Sequence, residues 1–211
     1  MRPCTKTTLK NGLRILTIPR KDDLATTFLV LVEAGSKYET KEISGLSHFL
    51  EHMVFKGSEK RPTAQAIAES VDAIGAEFNA GTSKEWTNFY IKARNAKVEH
   101  AFDVLSDMVL HPVLREDDIE REKGVILEEM SMYEDTPTSK IEDNFENLIF
   151  AGSKLGVDII GTRESVKAVK KKDFLAHRQA HYYANNLLVS VSGGIKNEDV
   201  LTLSKKYFGE L

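Results

Sequence analysis

Two histidines and a glutamate crowd the stretch "GLSHFLEHMVFKG", at His48, Glu51 and His52. Residues four apart on a helix share a face. His48 and His52 therefore point the same way, and each offers a ring nitrogen to one metal ion. Glu51 sits beside that face, within reach of a water at the metal but poorly placed as a third ligand in line. The residue types suit a catalytic metal centre. Neutral imidazoles bind zinc without overloading it with charge, and a nearby carboxylate takes the proton of a water that attacks a peptide carbonyl. The competing reading is a helix with a few satisfied histidines.

The order His-x-x-Glu-His inverts the His-Glu-x-x-His motif of zinc peptidases. A catalytic zinc needs a third protein ligand, and the other histidines, His100, His111, His177 and His181, are weak sources. His177 and His181 are four apart on a predicted helix, but no carboxylate stands in the right place beside them, so they read as surface or core residues. "EREKGVILEEM" is richer. Glu122 and Glu129 are seven apart, about two turns, and share a face. Glu128 is rotated by about 100° from Glu129. If Glu122 turns toward the histidines, Glu129 can join it; Glu128 stays open as the alternative. Against both stands the ordinary fate of an acidic run, a solvated helix face.

These residues need a scaffold. "TTLKNGLRILTIPR" predicts a hairpin about Asn11-Gly12, and the near-continuous apolar run of "ATTFLVLVEAGS" predicts a strand buried on both faces. The histidine helix follows, with Leu46, Phe49, Leu50 and Met53 at helical spacing, Ser44 as its cap and Gly57 as its end. A helix from Pro62-Thr63 to Gly75 leads into two strands, "AEFNAGTS" and "TNFYIKAR". "AKVEHAFDVLSDMVLHP" predicts an amphipathic helix stopped by Pro112. The acidic helix then runs to Thr136-Pro137, and "SKIEDNFENLIF" is helical again. "AGSKLGVDIIGT" reads as a loop without a functional reading, "RESVKAVKKKDFLAHRQAHYY" as one helix, "NLLVSVSGG" as a buried strand, and "KNEDVLTLSKKYFGEL" as a closing helix. Helices and strands mix without strict alternation, so the expected fold class is α+β, helices over a mainly antiparallel sheet. No internal repeat, low-complexity segment or long linker interrupts it.

Bulk properties narrow the classes. The chain has 211 residues, 41% hydrophobic and 29% charged, a soluble globular profile with enough length for a substantial core. A net charge of −3 gives no global basic field for nucleic acid, and Lys170-Lys171-Lys172 is too short a run to supply one. The lone Cys4 excludes an internal disulfide framework and fits a reducing compartment. Without a signal-peptide run or a membrane-length apolar window, the expectation is a cytoplasmic protein with no membrane partner.

Taken in order, "SHFLEHMVFKGS", "EFNAGTSKEWTNFYIKA" and "EREKGVILEEMSMYEDTP" resemble the pitrilysin family, which includes insulin-degrading enzymes and mitochondrial processing peptidases. The similarity spans essentially the whole chain and is greatest to the shorter, two-domain bacterial members. It implies His48 and His52 as zinc ligands, Glu51 as general base and Glu129 as third ligand of one zinc per chain. It implies Glu122 as a second carboxylate that supports a ligating histidine through an outer hydrogen bond. It also implies that Asn79 and Ala80 lie on a strand that holds a peptide or unfolded polypeptide as an added strand. Glu85 and Thr87 match family positions without an assignable role, and Phe89 and Tyr90 read as core.

Family members of this type carry a second, similar half that contributes an Arg and Tyr pair. Residues 1–211 thus read as a single N-terminal metallopeptidase domain, expected to bind zinc but to be weak or inactive without the second half or a partner chain. The face left open by that half would favour self-association. "SKLG" stands where the family often has His-Pro-Leu-Gly. The alternative function is a non-catalytic peptide-binding or scaffold subunit, which would be expected to have lost one of His48, Glu51, His52 or Glu129. A structural zinc domain is excluded, because such sites close with four Cys or His ligands.

Overall fold

Leu9 and Leu13 pair across a three-residue loop in which Gly12 takes a left-handed conformation (φ +91°). That loop joins β1 (Thr5–Thr8) to β2 (Arg14–Pro19) in the expected hairpin. A computed structural model describes residues 4–211 and adds β3 (Ala25–Val32), β4 (Glu77–Thr82), β5 (Thr87–Arg94) and β6 (Leu187–Gly193). The six strands form one sheet in the order β1-β2-β6-β3-β5-β4. Only β2 and β6 run parallel; every other neighbouring pair is antiparallel. The fold is α+β, a mainly antiparallel sheet covered by helices.

β3 differs from expectation. Thr26, Phe28, Val30 and Val32 are buried, whereas Ala25, Thr27, Leu29 and Leu31 are only half-covered. Phe28 and Val30 are opposite Ile91 and Phe89 of β5 and Val191 and Val189 of β6, so one face of the sheet carries the core. An apolar run alone cannot tell one covered face from two. Helices α1 (Leu46–Val54), α2 (Ala64–Asp72), α3 (Val98–Leu110), α4 (Glu116–Glu134) and α5 (Pro137–Ile149) precede α6 (Arg163–Ala168), α7 (Lys171–His181) and α8 (Asn197–Phe208). α3 packs on β3 and β5, α8 on β2, and α1 on β4 and β5.

Three local signals hold. Thr63 accepts a hydrogen bond from Ala66 N–H at the start of α2, Gly75 is left-handed beyond its end, and Pro112 follows α3. Two others fail. The stretch read as one helix breaks into α6 and α7 at Val169, which is buried and extended, and Asp173 caps the restart by accepting from Lys170 N–H at 2.8 Å. Ser44 does not cap α1. The buried carboxylate of Glu39 does so instead, accepting from Gly45 N–H and Ser47 N–H at 2.6 Å each. This satisfies two amides that a helix start leaves without partners and sets a negative charge at the positive end of the helix. Burial still raises the Glu39 pKa, against those same hydrogen bonds.

α7 lies behind α1, and its buried His177 brings Nε2 to 3.4 Å from Ser47 Oγ. Burial, then the nearby charges of His181 and Arg178, lowers the His177 pKa from 6.5 to about 3. Below pH 6.5 the unfolded chain takes up a proton that the folded ring refuses, so His177 makes stability fall as pH falls. Between pH 6.5 and 5 the wild type should lose roughly 1–2 kcal/mol more stability than His177→Gln by chemical denaturation. Parallel pH profiles for the two proteins would contradict a neutral buried ring.

Candidate metal centre

α1 presents two chemistries on its two sides. Leu46, Phe49, Leu50 and Met53 are fully buried against the sheet and α7, where Phe49 meets Phe174 edge-on at 5.0 Å. The other side turns His48, Glu51 and His52 into a cavity of about 450 Å³. α4 crosses it with Ile119, Glu122, Ile126 and Met130 buried. The acidic helix is thus solvated on one side only, and Glu122 is 4% exposed.

Glu122 Oε1 lies 2.9 Å from His52 Nδ1, and its Oε2 lies 2.5 Å from Lys56 Nζ. Burial alone would raise the Glu122 pKa; these two donors lower it. With Nδ1 donating to Glu122, the lone pair of His52 faces the cavity from Nε2. His52 Nε2 is 3.3 Å from His48 Nε2, and Glu129 Oε2 lies 3.7 Å from the latter and 3.6 Å from the former. Among the described residues, no hydrogen bond reaches the buried Glu129 Oε2. A tetrahedral zinc with nitrogen and oxygen ligands at about 2.0–2.1 Å holds its donors roughly 3.4 Å apart. Two imidazole nitrogens and an orphaned carboxylate oxygen at these separations fit a zinc ion, and among the described residues no other group of three His, Cys, Asp or Glu donors converges in this way. Glu128 is exposed and stands outside the group.

The electrostatics match the arrangement. Burial, then the neighbouring His52, lowers the His48 pKa to about 4, which keeps that ring neutral. Burial pulls His52 down as well, but the hydrogen bond to Glu122 and the charges of Glu129, Glu122 and Glu51 raise it overall. Glu51 is pushed up by burial, although Thr82 Oγ1 donates to its Oε2 at 2.6 Å.

Asn79 and Ala80 are on β4 but do not line the cavity; Gly81 and Thr82 of the same strand do. The exposed Asn79 Oδ1 accepts from Ala80 N–H at 2.9 Å. Phe89 is core, Tyr90 is half-exposed with its hydroxyl toward Glu77, and Glu85 pairs with Lys37 at the surface. Thr87 is fully buried and donates to Ala34 O at 2.8 Å. His177 is buried and His181 half-buried, away from the cavity lining.

Several participants were not read from the sequence. Lys56 had a signal, since it is four residues beyond His52, in the turn that follows α1. Tyr133 had one too, four residues beyond Glu129 on α4; Glu39, Thr82, Glu142, Asp143 and Asp158 had none, because tertiary packing brings them to the cavity or to the start of α1. Asp158 and Ile160 belong to the loop that carried no functional reading. That loop is locked to the start of α1 by Gly45 and Gly161, whose left-handed backbones approach Ile160 O and Ser44 O where a Cβ would collide.

Comparison with known proteins agrees with this architecture. Residues 14–163 match Insulinase (Peptidase family M16). The chain is 37% identical, over 97% of its length and 38% of the relative's, to the probable mitochondrial-processing peptidase subunit beta of Arabidopsis thaliana. It is 36% identical to the uncharacterized zinc protease YmxG of Bacillus subtilis, over 96% of this chain and 49% of that protein. A protease from Helicobacter pylori superposes with a TM-score of 0.94 at 26% identity, covering all of this chain and 51% of that one. The chain belongs to the M16 insulinase family of peptidases, and it spans about half the length, or less, of these relatives.

Elemental analysis should find about one zinc per chain after gel filtration, lost in His52→Ala. Glu129→Gln should weaken zinc binding more than Glu128→Gln, and Lys56→Met, which frees one oxygen of Glu122, should weaken it by about tenfold. Equal zinc affinity in all four proteins would refute the assignment.

Proposed function

We propose that this chain is the metal-binding part of a zinc metalloendopeptidase that hydrolyses peptides or unfolded polypeptides laid along β4 as an added strand. The observation that carries the reading is the convergence of His48, His52 and Glu129 beside Glu51, at the end of an open sheet edge. β4 is the outermost strand. Ser83 N–H donates to Trp86 O in the turn to β5, so by antiparallel alternation Phe78, Ala80 and Thr82 aim their main-chain groups away from the sheet. An extended peptide that pairs there is bound through its backbone with little sequence demand. Asn79 caps the Ala80 amide until a peptide carbonyl replaces it.

In this reading His48, His52 and Glu129 hold the ion, and Glu122 orients His52 with Lys56 behind it. Zinc, when bound, supplies a Lewis acid that polarises the peptide carbonyl and makes water a stronger acid. Glu51 takes the proton from the attacking water and returns it to the departing amine. Its raised pKa suits both steps. The intact set favours an enzyme over a scaffold subunit. Burial and the charge of Asp158 raise the Asp143 pKa, and with Glu142 these carboxylates make the wall acidic. A basic side chain near the cleaved bond relieves that crowding.

Because the chain spans about half of its relatives, the remaining walls of the cavity are assigned to a second homologous half or a partner chain, and activity without them is expected to be weak. No helix among the described residues is long and apolar enough to cross a membrane. The single cysteine favours a reducing, cytoplasmic setting.

Glu51→Gln in the full-length protein should retain zinc and lose hydrolysis by about a hundredfold or more. Peptides with Lys or Arg near the cleaved bond should be preferred over acidic ones, and Asp143→Asn should narrow the preference. Undiminished hydrolysis by Glu51→Gln would refute the general-base role.

A further inference from the structure

Glu51 is held from one side. Its Oε2 accepts a hydrogen bond from Thr82 Oγ1 at 2.6 Å, the only side-chain or backbone hydrogen bond found for its carboxylate among the described residues. Thr82 is the last residue of β4 and faces Thr87 across the ladder. Their hydroxyl oxygens are 3.4 Å apart. Thr87 is fully buried, and its proton is committed to Ala34 O at 2.8 Å. The Thr82 hydroxyl therefore has one strong acceptor, Glu51, and a fixed neighbour behind it.

We propose that Thr82 is the positioning residue of the peptidase reaction: its hydroxyl fixes the carboxylate of Glu51, and its backbone belongs to the strand edge on which the substrate lies. The inference rests on the metallopeptidase reading and adds a specific link to it. With Oε2 engaged by Thr82, Oε1 is the oxygen left to exchange a proton with water. A carboxylate free to rotate would share that task between two oxygens and several orientations, and misplacement by about an ångström is costly in catalysis. Because Thr82 also turns its main chain outward, seating a peptide against β4 and aiming the base are mechanically connected. Thr87, whose family match had no role, anchors this arrangement from the core.

The test compares the full-length, zinc-loaded wild type with Thr82→Val and Thr82→Ser. Valine keeps the shape and the strand preference of threonine and removes only the hydroxyl. Thr82→Val should lower kcat by about tenfold to a hundredfold, with KM changed by less than about twofold, because its backbone still pairs with the peptide. Zinc content should not change. Thr82→Ser should recover most of kcat. A crystal structure of Thr82→Val should show the Glu51 carboxylate rotated from its wild-type orientation. Full kcat in Thr82→Val, or an equal loss in Thr82→Ser, would overturn the proposal. If the wild type itself is inactive on every peptide, the metallopeptidase reading fails, and the Glu51 orientation in Thr82→Val still decides whether Thr82 positions it.

Discussion

A buried carboxylate survives only where donors meet it, and Glu122 finds both of its donors at the C-terminal end of α1, His52 Nδ1 in its last turn and Lys56 Nζ just past it. This contact sets the rotation of α4 against α1. Given that rotation, the next inward acid two turns later is Glu129, and its Oε2 comes to rest beside both imidazoles with no hydrogen bond among the described residues. Breaking the Glu122 contact would leave a buried charge uncompensated and release the helix that carries Glu129. The acidic stretch is therefore a packing element as much as a source of candidate ligands.

α1 can present its titratable side because its other side is committed. Its leucines, phenylalanine and methionine are buried, its first amides are taken by Glu39, and its start is wedged against residues 158–161 by two glycines that admit no Cβ. A helix so fixed has little freedom to relax when His48, neutral and desolvated, faces a second ring at 4.6 Å between centroids. β4 completes the frame from the opposite side. Its open edge and its terminal threonine meet at Glu51, so the surface suited to an extended chain and the proposed base are parts of one strand end.

Much of this was legible in the sequence where the signal is local. The four-residue spacing of His48 and His52, the seven-residue spacing of Glu122 and Glu129, and the turn at Asn11-Gly12 each encode a face or a reversal directly. What escaped reading depends on tertiary contact. Apolar periodicity runs through Val169 without showing that the chain bends there. Ser44 is a good cap by type, but Glu39, six residues before Gly45, reaches the amides first. The β3 pattern cannot say that only one side of the sheet is fully covered. The Thr82–Glu51 hydrogen bond joins residues with no periodic relation at all.

The arrangement proposed at the cavity is one zinc held by His48, His52 and Glu129. Anomalous diffraction at the zinc edge from crystals of the zinc-loaded protein tests it most directly. One strong peak is expected within bonding distance of His48 Nε2, His52 Nε2 and Glu129 Oε2. A peak bound through Glu128, at His177 and His181, or at any other site in place of this one would contradict it.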